Sequence, residues 1–277
     1  MTSMFDVPTS LSPSRVEKFT SCPLAFRFAS IEKLPEPPTV HATRGSLVHR
    51  ALELAFQHPA EARTPELFHA CLSDADAEFD LLDDLRDLGL GDVERETLRA
   101  ECRVLVDNYL RMEDPTTVRP IGLEVRLEAA VDTLLLRGII DRLELRNGDL
   151  VVTDYKTGRS PSANWEQKSL AGVHFYSFLC EAVLGRRPAA IRLMYLKTGE
   201  TIEATPSERS VKFLRTRTTA VWRAIEQACN AGDFRPRPSA LCASCTFQTW
   251  CPSFGGDPER AAADLAGAVP SPTLLAS

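Results

Sequence analysis

Two aspartates and a lysine carry the first chemistry this sequence offers. Asp154 and Lys156 stand two apart in Val-Val-Thr-Asp-Tyr-Lys-Thr-Gly, and Asp141 lies upstream in Gly-Ile-Ile-Asp-Arg-Leu. Asn147-Gly148 joins the two segments, and because both residues tolerate φ > 0 the pair signals a two-residue hairpin turn. Such a turn sets Arg146 across from Asp149 and Asp141 across from Asp154. Opposed residues on antiparallel strands hold their Cβ atoms about 5 Å apart, where like charges repel. A divalent cation with oxygen ligands relieves that repulsion. The period of two along a strand puts Lys156 on the same face as both carboxylates. The hairpin therefore reads as a metal site with a cation beside it.

The second chemical feature is sulfur. Cys242-x2-Cys245-x5-Cys251 places three thiols in one short stretch, close enough for a loop to wrap a soft cation or a cluster. Cys22, just before Pro23 at a helix end, is the natural fourth ligand. Cys71, Cys102, Cys180 and Cys229 fall in helix-patterned segments and read as small buried hydrophobes. Four thiolates suit Zn²⁺ or a [4Fe–4S] cluster, and spacing leaves both open. Either would staple the N-terminal helix to the C-terminal segment.

The elements that must position these groups are legible in outline. Ser12 as N-cap and Pro13 at N1 begin a helix leading to Phe19. After the breaker cluster Pro35 to Pro38, Thr43-Arg44-Gly45-Ser46 opens a helix that carries His49 near its start. Apolar residues recur at helical spacing from about Thr64 to Arg111, which reads as a helical insertion over about 60–115. Strands are expected at Ile121 to Glu128, Asp132 to Arg137, Ile139 to Arg146, Leu150 to Tyr155 and Ala190 to Leu196. Helices are expected at about Ser169 to Leu184 and Ser207 to Ala231. The expected organisation is one domain over 1–256 and a disordered tail over 257–277, rich in Ala, Pro and Ser.

The 277 residues are 44% hydrophobic and 25% charged, ordinary values for a globular chain with a sizeable core. The N-terminus lacks an apolar signal region and no run of about 18 apolar residues occurs, so the chain is expected in the cytoplasm, away from membranes. Eight cysteines there argue for metal ligands and buried thiols rather than disulfides. Net charge is −6 but segregated: Glu61 to Glu101 carries 13 acids and 4 bases, Arg209 to Arg237 7 bases and 2 acids. A basic surface can thus coexist with an acidic total. Without Gly-Lys-Ser/Thr there is no P-loop and no sign of an ATP-driven motor.

Several motifs occur in a fixed order: Leu11-Ser-Pro-Ser-Arg15 through Phe19 to Cys22-Pro23, Arg44-Gly-Ser-Leu-Val-His49, Glu124, Gly138-Ile-Ile-Asp141-Arg142, Asp154-Tyr-Lys156-Thr-Gly158, Tyr176 and the three C-terminal cysteines. With this set the sequence resembles the RecB-like branch of the PD-(D/E)xK nuclease superfamily, specifically the iron–sulfur members that include the Cas4 and AddB nucleases. The resemblance implies an α/β fold with a restriction-endonuclease-like core, a mixed central sheet flanked by helices, joined to the helical insertion and the cysteine-rich segment. It implies that Asp141, Asp154 and His49 hold Mg²⁺ or Mn²⁺ and that Lys156 orients or activates the attacking water. Tyr176 is expected at the site and Glu124 at its edge, although strand pattern alone places Glu124 and Glu128 on one face. Cys22, Cys242, Cys245 and Cys251 are implied ligands of [4Fe–4S].

The activity so implied is a metal-dependent DNA nuclease, an exonuclease on single strands or ends, in repair or recombination and served by a helicase or another repair protein. Arg15, Arg27, Arg44, Arg209, Lys212, Arg215 and Arg217 are candidates for phosphate contacts. One position departs from the family pattern: Gly172 stands four before Tyr176, where members carry Gln, and His174 or Gln167 are the nearby substitutes. That departure admits an alternative, a catalytically impaired nuclease fold that binds DNA or serves as a scaffold.

Overall fold

The Asn147-Gly148 turn forms as its residue types require, with φ of 52° and 89°, and it sets the register of the central hairpin. Arg146 pairs with Asp149 and each following pair steps back in order to Arg142 and Thr153, where the β3–β4 pairing ends one step short of Asp141 and Asp154. The computed structural model describes residues 4–81, 85–131, 134–161 and 166–268, without the side chains of 166–173 and 266–268.

In chain order the elements are β1 (Ser10–Leu11), α1 (Pro13–Ser21), α2 (Pro23–Phe26), α3 (Val40–Gln57), α4 (Pro65–Leu81), α5 (Asp92–Met112), β2 (Pro120–Val131), β3 (Leu134–Arg146), β4 (Asp149–Lys156), α6 (Glu166–Leu184), β5 (Ala190–Tyr195), β6 (Glu200–Ala204), α7 (Glu208–Ala231) and α8 (Ala261–Ala268). Contacts divide the chain into two compact units. One comprises Met1–Pro37, Ala130–Leu135 and Thr216–Ser277, the other Pro38–Ala129 and Leu136–Arg215.

The second unit holds the mixed sheet. β2 and β4 both pair with β3, β4 runs parallel to β5, and β6 closes antiparallel on β5. A parallel neighbour needs a crossover, which α6 supplies between β4 and β5. On one face α3, α4 and α5 bury Leu47, Val48, Leu52, Phe56, Phe68, Leu98, Leu105 and Tyr109 in a cluster that also takes Tyr155 and Met194 from the sheet and Leu196 just beyond it. The segment read as an insertion thus shares its core with the sheet. Its acidic outer face is compensated by pairs such as Arg99 with Asp76 and Arg95 with Asp80. On the opposite face α6 packs against β3, where a Cβ on Gly138 would lie 2.7 Å from Leu179 Cδ1. This is a mixed α/β sheet flanked by helices, as expected.

In the first unit Ser12 caps α1 by accepting from Arg15 N, with Pro13 at N1. Phe19 meets Phe26 edge-on at 5.2 Å, and Phe28 meets Phe247 at 5.2 Å.

Three expectations are corrected. β3 runs unbroken through Gly138 instead of forming two strands, and the Asp132 start lies outside the described residues. α3 begins at Val40, capped by Thr39, whose hydroxyl accepts from Ala42 N; the first capping residue after the prolines wins over Thr43. The stretch from Asp257 is not disordered throughout, because Pro258–Arg260 and α8 are helical and Glu259 binds Arg27. Residues 269–277 lie outside the description. Among the described residues no helix is long and apolar enough to cross a membrane.

Candidate metal centre

Three elements of the second unit converge on one point. α3 contributes His49, β2 Glu124 and β3 Asp141, and one ligand atom from each lies within 4.8 Å of the others. Helix packing delivers His49: Leu47, Val48, Ala51 and Leu52 face the core and leave the imidazole at the end of the sheet. Its Nε2 lies 3.0 Å from the carbonyl of Tyr155. A carbonyl only accepts, so Nε2 carries the proton and Nδ1 turns its lone pair toward Asp141 Oδ2, 3.5 Å away. Burial lowers the His49 pKa despite the carboxylates nearby, which keeps the ring neutral and available as a ligand.

Asp141 is 9% exposed and accepts from Tyr155 N–H at 2.6 Å. Burial first, then the charge of Asp154, pushes its carboxyl well above the usual range. Glu124 behaves alike: burial, followed by Asp141, raises it to about 7. Its φ of 46° is left-handed, a backbone conformation that costs a non-glycine residue about 1 kcal/mol or more and concentrates at functional sites. The structure separates Glu124 from Glu128, which pairs with Arg137 at the surface. Glu124 therefore joins the tight group rather than standing at its edge.

Asp154 sits on the same strand as Tyr155 and faces the α6 side. Tyr176 Oη donates to its Oδ1 at 3.1 Å, and Lys156 Nζ lies 2.5 Å from its Oδ2. The ammonium and the buried Oδ2 form a close ion pair. Burial opposes the Lys156 charge, but Asp154 and Asp141 outweigh it and hold its pKa above the ordinary value. Burial and the same two carboxylates raise Tyr176 strongly, so its hydroxyl stays protonated as a donor. Gly138 lies beside this pair, where a Cβ would make an ordinary 3.5 Å contact with the Tyr176 ring.

Other expected contributors fall elsewhere. Arg44 is 6% exposed and engaged by Glu101 at 2.6 Å and by His41. Arg27 is 4% exposed, bound to Glu32 and Glu259 and stacked 4.4 Å over Phe5. Neither guanidinium is presented to phosphate; both satisfy acids that the sequence places far away. Arg15 donates to the Ser10 carbonyl. Arg209, Lys212 and Arg215 lie on exposed positions of α7, and Arg217 is half-buried. Gly172 falls within α6, whose side chains over 166–173, Gln167 included, lie outside the description. His174 is two residues from Tyr176, and such positions do not share a helix face; its Nδ1 is buried without a partner.

In the first unit Cys22, Cys242, Cys245 and Cys251 are free and half-buried. Burial pushes the Cys245 thiol up, and the other three lie near enough to add to it. Tyr155 escaped sequence reasoning, because it binds His49 and Asp141 through main-chain atoms that every residue carries.

The profile of the PD-(D/E)XK nuclease superfamily matches residues 10–252. The gene 69 protein of Mycobacterium phage L5 is 25% identical, covering 91% of this chain and 100% of its own. Its counterpart from Mycobacterium phage D29 is 24% identical, covering 88% and 96%. The crystal structure of SSO0001 aligns at 16% identity over 90% of this chain and 88% of that one, with a TM-score of 0.41.

Proposed function

The chain belongs to the PD-(D/E)XK nuclease superfamily, and from that premise we propose that it is a metal-dependent DNA nuclease acting on single strands or ends. The observation that carries this reading is the convergence of His49, Glu124 and Asp141 within 4.8 Å. Buried carboxyls gathered at one point, with pKa values driven up, are what a site short of positive charge looks like. Oxygen and imidazole donors fit Mg²⁺ or Mn²⁺.

His49 Nδ1, Glu124, Asp141 and Asp154 would hold the ion. When bound, it supplies Lewis-acid stabilisation of charge on the phosphoryl group and lowers the pKa of an adjacent water. Lys156 adds positive charge where the scissile phosphate must approach and can orient the attacking water. Tyr176 fixes the Asp154 carboxylate by donating to it. The exposed cations of α7 suit the phosphate backbone, which makes binding depend on salt rather than sequence.

End-labelled single- and double-stranded DNA incubated with Mn²⁺ tests the assignment. Wild type is expected to cleave, and Asp154→Ala to lose at least about a hundredfold in rate; equal rates would overturn it. Gly172 in place of the family glutamine favours a second reading, a DNA-binding or scaffold subunit. Binding without cleavage under every divalent metal would select that one.

The four thiols of the first unit are proposed ligands of a [4Fe–4S] cluster, with Zn²⁺ as the alternative. Their spacing along the chain and all-sulfur chemistry support a soft metal group. A role in repair or recombination beside a helicase goes with the nuclease reading.

A further inference from the structure

Within the first unit, α1 and the second half of α7 leave a groove of about 300 Å³ between them. Arg217, Ala220, Val221 and Ala224 recur at the spacing i, i+3, i+4, i+7 and so share one side of α7. Phe19 stands opposite on α1. Gly232, with a φ of 68°, ends α7 and redirects the chain, and Arg237 from the segment that follows completes the lining. Its guanidinium donates to the carbonyl of Thr20, the residue after Phe19. Ala220 and Arg237 are exposed, so the groove opens to solvent.

The two guanidiniums are the only charges on the walls. Arg27 and Arg44 are met by acids, whereas among the described residues neither Arg217 nor Arg237 forms an ion pair. An apolar floor beside two uncompensated cations suits a ligand that is flat and apolar in one part and anionic in another. A nucleotide has that character: its base offers a π-face to an aromatic or aliphatic wall, and its phosphate takes guanidinium donors. In a duplex the base faces are covered by their stacked neighbours, so an unpaired base fits and a paired one does not. The volume is at the small end of ligand pockets, which suits a single base.

We propose that this groove binds one unpaired nucleotide of a DNA strand, its base against Phe19 and Val221 and its phosphate on Arg217 and Arg237. The inference rests on the reading of the chain as one that acts on single strands or ends, and it says where such a strand is gripped. It also gives the cysteine segments a task. Thr20 lies two residues before Cys22 and Arg237 five before Cys242, so a group joining those thiols would hold the two walls together.

Fluorescence anisotropy of a labelled oligothymidine and of a closed hairpin duplex, titrated with the full chain at several salt concentrations without added divalent metal, tests the groove. Wild type is expected to bind the single strand more tightly. Arg217→Ala and Arg237→Ala should each weaken that binding about tenfold and lower the slope of log affinity against log salt by about 0.7. Ala224→Leu fills the groove without touching charge; it should weaken single-strand binding about tenfold, leave the salt slope unchanged and lose its effect on an abasic strand. Ala220→Leu, at an exposed position of the same groove, decides the matter if Ala224→Leu does not fold. Equal binding by wild type and the leucine variants, with the arginine variants weakened alike on strand and duplex, would make this a general electrostatic surface and overturn the inference. A leucine variant that changes oligomeric state by sedimentation while binding DNA normally would assign the groove to a second copy and overturn it too. Wild type that grips single strands in this way but cleaves no DNA with Mn²⁺ overturns the nuclease reading and leaves the groove standing. Wild type that cleaves DNA while the leucine variants bind normally overturns the groove alone.

Discussion

At the scale of single residues, Glu124 is where function and stability conflict. Its carboxyl is raised to about 7, first by burial and then by Asp141, from about 4.3 in an unfolded chain. A raised acid favours folding below the unfolded value, and that contribution is lost as pH rises through the folded one. Above pH 7 the metal-free protein therefore carries an unfavourable charge worth on the order of 1–3 kcal/mol. Glu124→Gln is expected to unfold at a higher temperature than wild type at pH 8 without metal, to match it near pH 4, and to lose cleavage. Thermal melts at the two pH values check the first two outcomes and the DNA assay the third. The residue type was visible in the sequence, but its choice over Glu128 was not. That choice depends on a left-handed backbone at residue 124 and on an Arg137 partner for Glu128, neither of which strand periodicity encodes.

At the scale of elements, the β3–β4 hairpin and α6 shape the Asp154 side of the candidate site. Hairpin register was legible because Asn147-Gly148 is a local signal and the side-chain period of two is fixed. The packing of α6 was not, since Gly138 looked like a place where a strand ends. It is instead a place where a strand lets a helix approach: a Cβ would meet Leu179 at 2.7 Å. Gly138→Ala is expected to destabilise the protein by about 1–3 kcal/mol through overpacking. Denaturant titration measures this loss, and in single-turnover cleavage Tyr176→Phe should be slow with a smaller loss of stability.

At the scale of the whole molecule the two units carry separate chemistry, carboxylates in one and thiols in the other. Anaerobically purified wild type is expected to be brown with broad absorbance near about 400 nm, as a bound iron–sulfur cluster gives. Cys251→Ala should lose that colour, whereas Asp154→Ala should keep it while losing cleavage. A colourless wild type with one zinc per chain by metal analysis would select Zn²⁺ instead. Cys251→Ala should also open the Thr216–Ser277 region to protease, since a site closed between Cys22 and residues 242–251 would restrain both chain ends.

The sequence by itself determined what is local: the turn, the parity that puts Asp154 and Lys156 on one face, the Ser12 cap, the spacing of three cysteines and the ordered motifs of the superfamily. Each follows from a few neighbouring residues and a fixed backbone period. Only the tertiary structure decided which charges are used where. Arg27 and Arg44 looked like phosphate contacts because a guanidinium suits that role, yet folding brings Glu259 and Glu101 to them, over 232 and 57 residues of chain. Tyr155 looked like the spacer between Asp154 and Lys156, yet its amide and carbonyl hold two candidate ligands. Main-chain atoms are the same in every residue, so their partners come into view only when the strands and helices are packed.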